Sequence, residues 1–311
     1  MPTARPNSPA SSKPSTPARP GSARANVAAP ISVGDPVTGA SEWTGRVGGT
    51  WAREWERTDR SFGSLTAHLL DPAAIGDITS ALDIGCGAGE VAITLAARNP
   101  AAEITGLDIS QDLLSVARER GSTFGNLTFR EGDAARWKPD DNSNAPDFLI
   151  SRHGVMFFDE PIAAFAHLKT IAAKRARLRF SCFRERAENH WVSLLQSVTP
   201  ASSPPSDPYA PGPFAFGEAA RLRDILTAAG WRDVMLEPYD YAMIAGEGEG
   251  ALDEAVAYFQ RIGPAAGAIA DLAGAARDQA IEALRAMLAE HLSQGRVALP
   301  ASAWIVTARS D

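Results

Sequence analysis

One stretch constrains this chain more than any other: an apolar run that ends in a glycine-rich turn and reopens as a helix. Leu82-Asp83-Ile84-Gly85-Cys86-Gly87-Ala88-Gly89-Glu90 joins SALDIG, residues 80–85, to EVAITLAAR, residues 90–98. A short apolar run bounded by turn residues reads as a buried strand. The helix after it stops at Asn99-Pro100. Glycines let the turn take positive φ and let a ligand lie against bare backbone. In an open parallel sheet, ligands bind past the carboxyl ends of the strands, where such a turn sits.

The same alternation continues downstream. Strands are expected at 103–109, 126–133, 147–152 and 176–183, and helices at 110–120 and 161–172. Ser110 is the expected N-cap of the 110–120 helix, with Asp112 in its first turn and Gly121 just past its end. A βαβα order implies a mainly parallel sheet with helices on both faces. Before it, residues 41–70 read as helical, with Trp51, Trp55 and Leu65 among charges. After it come a short helix at HWVSLLQSV, a Pro-rich loop, a helix over 217–230 ended by Gly230 and a strand over 231–244 with Pro238 marking a bend or edge. Residues 250–293 are Ala-rich and read as one or two helices broken near Gly263-Pro264; 301–310 is a last strand. The expected fold is α/β: a doubly wound, Rossmann-like, mainly parallel seven-stranded sheet with an antiparallel last strand and a helical cap.

Composition narrows the function classes. The net charge of -7 gives no electrostatic reason to expect nucleic acid. No apolar run reaches 18 residues, so no membrane span is expected. The only cysteines, Cys86 and Cys182, fall in no CxxC or Cys/His cluster, which suggests neither zinc nor disulfides and fits a reducing, cytoplasmic compartment; no metal is expected. Residues 1–40 are rich in Pro, Ser and Ala, and their first 30 carry four basic residues and no acid. Such a stretch cannot bury apolar surface and reads as a disordered tail, or as an upstream start wrongly assigned. The prolines forbid the amphipathic helix that a transit peptide needs.

The turn's ligand follows from its spacing. A dinucleotide fingerprint is GxGxxG, with a pyrophosphate at the helix N-terminus. Here the glycines run Gly85-x-Gly87-x-Gly89 and Glu90 takes the place of the third fingerprint glycine. A carboxylate would repel a pyrophosphate, so a ligand without phosphates at this point is favoured. Asp108 ends the second strand, 25 positions after Asp83. There a carboxylate can accept from both ribose hydroxyls; alone it fits NAD equally, or a plain helix N-terminal acid. Asp133, in Glu131-Gly132-Asp133-Ala134, follows after another 25 positions. It could read an adenine amino group, or simply form a turn.

Taken together, LDIGCGAGE, TGLDIS and EGDA at the ends of successive strands resemble the class I S-adenosylmethionine-dependent methyltransferases. The continuation SRHGVMFFDEPIAAFAHL and the tail ending in PASAWIVTA resemble a bacterial small-molecule subgroup akin to the ubiquinone/menaquinone C-methyltransferases. The likeness is specific through residue 160 and looser afterwards. It implies S-adenosylmethionine as cofactor and assigns roles position by position. Asp83 would orient the methionyl amine through water, and Gly85 and Gly87 would let the methionyl part lie on the turn. Asp108 would hold the ribose and Ile109 would pack on the adenine. Asp133 and Ala134 would read the adenine edge, the Ser151 backbone would reach the amine, and Trp51 could cover the carboxylate. The family often has a Pro-Gly-Gly turn before the fifth strand; here the stretch is Leu168-Lys169-Thr170-Ile171-Ala172-Ala173-Lys174-Arg175-Ala176-Arg177, which implies altered loop geometry and leaves the start of that strand open.

Methyl transfer is an in-line displacement, so alignment and exclusion of water are the protein's main tasks. His153 is the candidate general base, because histidine titrates near neutrality; a structural histidine is the alternative. Arg152 could bind an acidic substrate or make a salt bridge. Phe157, Phe158, Trp191, Tyr209, Phe214 and Phe216 suggest a hydrophobic or aromatic small-molecule acceptor, or ordinary core. The Asn/Asp-Pro-Pro-aromatic run of nucleic-acid amino-methyltransferases is replaced by Ser151-Arg152-His153-Gly154. The alternatives are a non-catalytic adenosine-ligand-binding protein and, against the turn spacing, an NAD-linked oxidoreductase. The expected organisation is a 1–40 tail, a 41–70 helical cover, a 71–183 cofactor core, a 184–216 substrate cap, and a 217–311 remainder with a helical insertion at 250–293.

Overall fold

Five parallel strands carry the sheet through its centre: β1 (Ser80–Ile84), β2 (Glu103–Asp108), β3 (Leu127–Glu131), β4 (Phe148–Arg152) and β5 (Arg177–Phe183). The computed structural model describes residues 40–140, 143–199 and 207–311, all within one compact unit. Three further strands follow, β6 (Arg232–Glu247), β7 (Leu292–Ser293) and β8 (Arg296–Arg309). The order is β3-β2-β1-β4-β5-β8-β6, with β8 antiparallel to β5 and β6. This is the expected seven-stranded arrangement with an antiparallel last strand. To it the two-residue β7 adds a hairpin on β8, whose turn residues Gln294 and Gly295 both have positive φ, as a tight hairpin requires. Every residue of the central β1 is buried, which is why its sequence runs apolar rather than alternating. Pro238 falls in β6, the edge strand, where a missing N–H is tolerated.

The helices are α1 (Ala40–Trp43), α2 (Arg46–Arg53), α3 (Trp55–Ser61), α4 (Gly63–Leu69), α5 (Pro72–Ile75), α6 (Glu90–Arg98), α7 (Gln111–Arg120), α8 (Pro161–Ile171), α9 (His190–Gln196), α10 (Ala219–Ala228), α11 (Ala251–Phe259), α12 (Pro264–Asp271) and α13 (Gly274–Ala289). Ser110 caps α7 by accepting from the Leu113 N–H, as its sequence position predicts. The 250–293 region departs from expectation. It holds three helices, because a second break at Leu272-Ala273 follows the one at Gly263. The expected tail lies outside the described residues except for Ala40, as do residues 200–206 of the expected cap. No helix among the described residues is long and apolar enough to cross a membrane.

Three local features fix what surrounds the strand ends. Helix α2 packs on the start of α7 so closely that a Cβ at Gly48 would lie 2.3 Å from Ser110 Oγ. Arg179 of β5 donates to the Leu69 and His68 carbonyls, which satisfies the exposed end of α4 and docks it on the sheet. Asn189 is fully buried; its amide donates to the Arg184, Glu185 and Ser302 carbonyls and its oxygen accepts from Ser302 N and Trp191 Nε1. It ties the exit of β5 to β8. In the turn before β5, Arg175 has φ of 62°, and its N–H donates to the Asp311 carbonyl.

Candidate functional site

The glycine turn leaves β1 with Gly85 at φ 64°, Gly87 at 55° and Gly89 at 89°. Each has its own reason. A Cβ at Gly85 would lie 2.9 Å from the Gly154 Cα, and one at Gly154 would lie 2.6 Å from the Ile84 carbonyl oxygen. The ends of β1 and β4 therefore meet backbone to backbone. A Cβ at Gly89 would strike Phe129 at 2.9 Å. At Gly87 a Cβ would meet nothing within 4 Å, so this glycine faces open space.

Asp83 lies beneath this turn and is 1% exposed. One oxygen accepts from the Ala92 N–H at 3.1 Å, and the other, Oδ1, is buried without a partner. Burial pushes its carboxyl up to about 7, against the opposing pull of the Arg152 guanidinium and the Ala92 N–H. A buried acceptor with no donor is costly. Asp108 is also buried; its two oxygens accept from Gly87 N and Ser110 N, each at 2.8 Å. Burial raises its pKa, and the N–H donors of Ser110, Gly87 and Ile109 hold it down. The carboxylate thereby bridges the glycine turn to the start of α7.

The remaining cofactor candidates are more dispersed. Asp133 is half-exposed; it accepts from the Ala135 N–H at 2.9 Å and stands 3.4 Å from Arg136, the geometry of a turn aspartate. Ala134 beside it is buried. Ser151 has no exposure, and its hydroxyl donates to the Ile84 carbonyl at 2.6 Å and accepts from Gly154 N. Trp51 packs edge-on against Trp43, whose ring meets Phe157 at 4.9 Å.

His153 differs from what its sequence position suggests. Its φ is 65°, its ring is buried, and neither ring nitrogen has a partner. It stacks on Phe183 at 4.3 Å and meets Phe62 edge-on at 5.2 Å. Burial, followed by the Arg152 charge, drives its pKa down to about 3. It does not titrate near neutrality; the ring stays uncharged. Phe183 continues into Trp191 and Phe214, which gives an aromatic cluster at the ends of β4 and β5. Of the other aromatics, Phe216 is core and Tyr209 is exposed, its hydroxyl on Glu218.

Arg152 makes salt bridges. It engages Glu90 and Asp59, and Arg184 at the end of β5 engages Glu188 and Asp240. Two residues at this site carry no sequence signal. Gly154 is invisible as a close-approach glycine until β1 and β4 are paired. Asp59 is one acid among many in an amphipathic stretch.

Residues 81–174 match a family model described as a methyltransferase domain. The chain is 29% identical over 205 residues to a trans-aconitate 2-methyltransferase of Delftia acidovorans, which covers 65% of this chain and 70% of that protein. It is 35% identical over 85 residues to a demethylmenaquinone methyltransferase of Staphylococcus aureus, 24% of this chain and 35% of that protein's length. Among solved structures, a putative methyltransferase from Bacillus halodurans superposes with a TM-score of 0.50 at 15% identity, over 79% of this chain and 99% of its own. That likeness is one of fold.

Proposed function

We propose that this chain is a class I S-adenosylmethionine-dependent methyltransferase whose methyl group goes to a small, uncharged acceptor of hydrophobic or aromatic character. S-adenosylmethionine is the cofactor, and when bound it supplies a sulfonium methyl open to in-line attack by an aligned nucleophile. The observation that carries the cofactor reading is the unpartnered Asp83 Oδ1 beneath a turn whose Gly87 opens onto free space. Such an acceptor suits a cationic amine, and no phosphate-binding group is needed there. In this reading Gly85 and Gly87 admit the methionyl part, Asp108 takes the ribose hydroxyls, and Ile109 packs on the adenine. Asp133 and Ala134 read the adenine edge, the Ser151 main chain meets the amine, and Trp51 closes over the carboxylate. The 41–70 helices and the 184–216 segment act as cover and cap.

The acceptor side rests on charge pairing. Arg152 and Arg184, the guanidiniums at the ends of β4 and β5, are each engaged by two carboxylates, and His153 between them is uncharged. A carboxylate-bearing acceptor, such as the trans-aconitate of the relative, would have to compete with the carboxylates already paired to these guanidiniums. A flat apolar acceptor instead meets Phe62, His153, Phe183 and Phe214. His153 offers one ring nitrogen as acceptor for a proton on the nucleophile. The free thiols of Cys86 and Cys182 fit a cytoplasmic setting.

Calorimetric titration with S-adenosylmethionine, S-adenosylhomocysteine and NAD, followed by a labelled-methyl assay on panels of neutral aromatic and polycarboxylate acceptors, tests this function. Tight NAD binding without S-adenosylhomocysteine binding would overturn the cofactor, and preferential methylation of polycarboxylates would overturn the acceptor class.

A further inference from the structure

Four charged side chains from four helices and strands meet beside the glycine turn. Arg152, at the end of β4, engages Glu90 in the first turn of α6, donates to Thr66 Oγ1 of α4 at 2.8 Å and pairs with Asp59 of α3 at 3.2 Å. The other Asp59 oxygen takes Arg120, from the end of α7, at 2.7 Å. Arg120 then donates to the Ala88 carbonyl at 2.6 Å, and its guanidinium lies over the Trp55 ring at 3.8 Å. The four side chains are only 14–21% exposed. Two cations face two carboxylates, so the set is neutral within itself.

The placement of the set distinguishes it from a surface staple. Asp59, Thr66 and Trp55 belong to the N-terminal helices; Glu90, Arg120, Arg152 and the Ala88 carbonyl belong to the sheet side. The chain of bonds ends on the main chain of the turn itself, between Gly87 and Gly89. Planar guanidinium forks hold such partners in fixed geometry, and loss of one arm leaves a partly buried charge unpaired. Arg152 is also the charge that opposes the burial penalty on Asp83.

We infer that Arg152 is a positioning residue: by gripping Asp59 and Glu90 together it registers the N-terminal helices against the glycine turn, so that cover and turn form one cofactor site. This rests on the reading of the turn as the cofactor site. Arg152 acts through the groups it holds rather than by touching the reacting atoms.

The test is calorimetric titration of the full chain with S-adenosylhomocysteine for the wild type, Asp59→Asn, Arg152→Lys and the double variant, with the ligand-free Tm recorded for each. Arg152→Lys keeps the charge but loses the fork. Each single variant is expected to bind about tenfold more weakly, and the double variant no more than about twofold worse than either, because the two groups act as one unit. Lowered Tm with unchanged affinity in the single variants would overturn the inference, since a mere staple gives that result. So would fully additive losses. Asp59→Asn probes the cover side independently if Arg152→Lys folds poorly. Wild-type protein that fails to bind S-adenosylhomocysteine at all would overturn the cofactor reading as well.

Discussion

Gly85 and Gly154 stand face to face where β1 and β4 end: a Cβ on Gly85 would lie 2.9 Å from the Gly154 Cα, and one on Gly154 would lie 2.6 Å from the Ile84 carbonyl oxygen. Neither backbone can yield without moving the floor of the site. The glycine of the turn and the glycine after His153 are thus halves of one contact.

Gly154→Ala is expected to cost about 1–3 kcal/mol of stability, the range for forcing a methyl into close-packed structure, and to weaken cofactor binding with it. Gly87→Ala meets no neighbour but has φ of 55°, so it carries only the left-handed strain of about 1–2 kcal/mol. Its methyl occupies the ligand's space, so its loss of S-adenosylhomocysteine affinity should exceed its loss of stability. Denaturant unfolding and calorimetry on the two variants separate these outcomes; equal effects on both quantities would contradict the assignment.

Asp83 should set the pH dependence of cofactor binding. Its buried carboxyl ionises at about 7, and the ionised form is the one that attracts an ammonium. Affinity is expected to rise between pH 6 and 8, and Asp83→Asn should lower it and flatten the profile. The stability effect has the opposite sign. A folded-state pKa raised from 3.8 to about 7 gives stability that is full below pH 3.8 and lost as pH rises to 7. The ligand-free Asp83→Asn protein should therefore gain on wild type across that window, and Tm measured from pH 4 to 8 checks it.

His153 should make the protein acid-sensitive. Its pKa falls from 6.5 to about 3 on folding, so its stability contribution is full above pH 6.5 and lost as pH drops toward 3. Between pH 7 and pH 5 the loss is about 2 kcal/mol for this group. His153→Phe keeps the stack on Phe183 and should abolish that part of the acid destabilisation. Where the uncharged ring accepts a hydrogen bond from the nucleophile, the same variant lowers turnover while leaving S-adenosylhomocysteine affinity within about twofold. Identical acid unfolding of the two proteins would refute the buried, uncharged state.

Phe183→Ala opens the middle of the aromatic cluster, where Phe183 touches His153, Trp191 and Phe214. It is expected to raise the KM for a neutral aromatic acceptor about tenfold or more while leaving cofactor affinity nearly unchanged, beside a stability loss of about 3–5 kcal/mol. Steady-state kinetics at saturating cofactor measures the split; a loss confined to cofactor binding would argue against an acceptor site here.

The sequence by itself determined the frame. SALDIG, GLDIS and the helix that opens at Glu90 have strand or helix periodicity strong enough to place β1, β2, α6 and α7 almost to the residue, with Ser110 as the cap. The placement of Asp83 and Asp108 near the ends of β1 and β2 was legible too, because it follows from the same strand boundaries. Only the tertiary structure decided what each group's surroundings are. His153 reads as a near-neutral titrant in sequence, and packing between Phe62 and Phe183 beside Arg152 removes it from that range. For Arg152 the sequence leaves a substrate acid and a salt bridge open, and the fold supplies the salt bridges, with Asp59 and Glu90 from positions 93 and 62 residues away. Local propensity acts over a few residues and so writes itself into the sequence. Desolvation and ion pairing act through space, between segments that only the fold brings together.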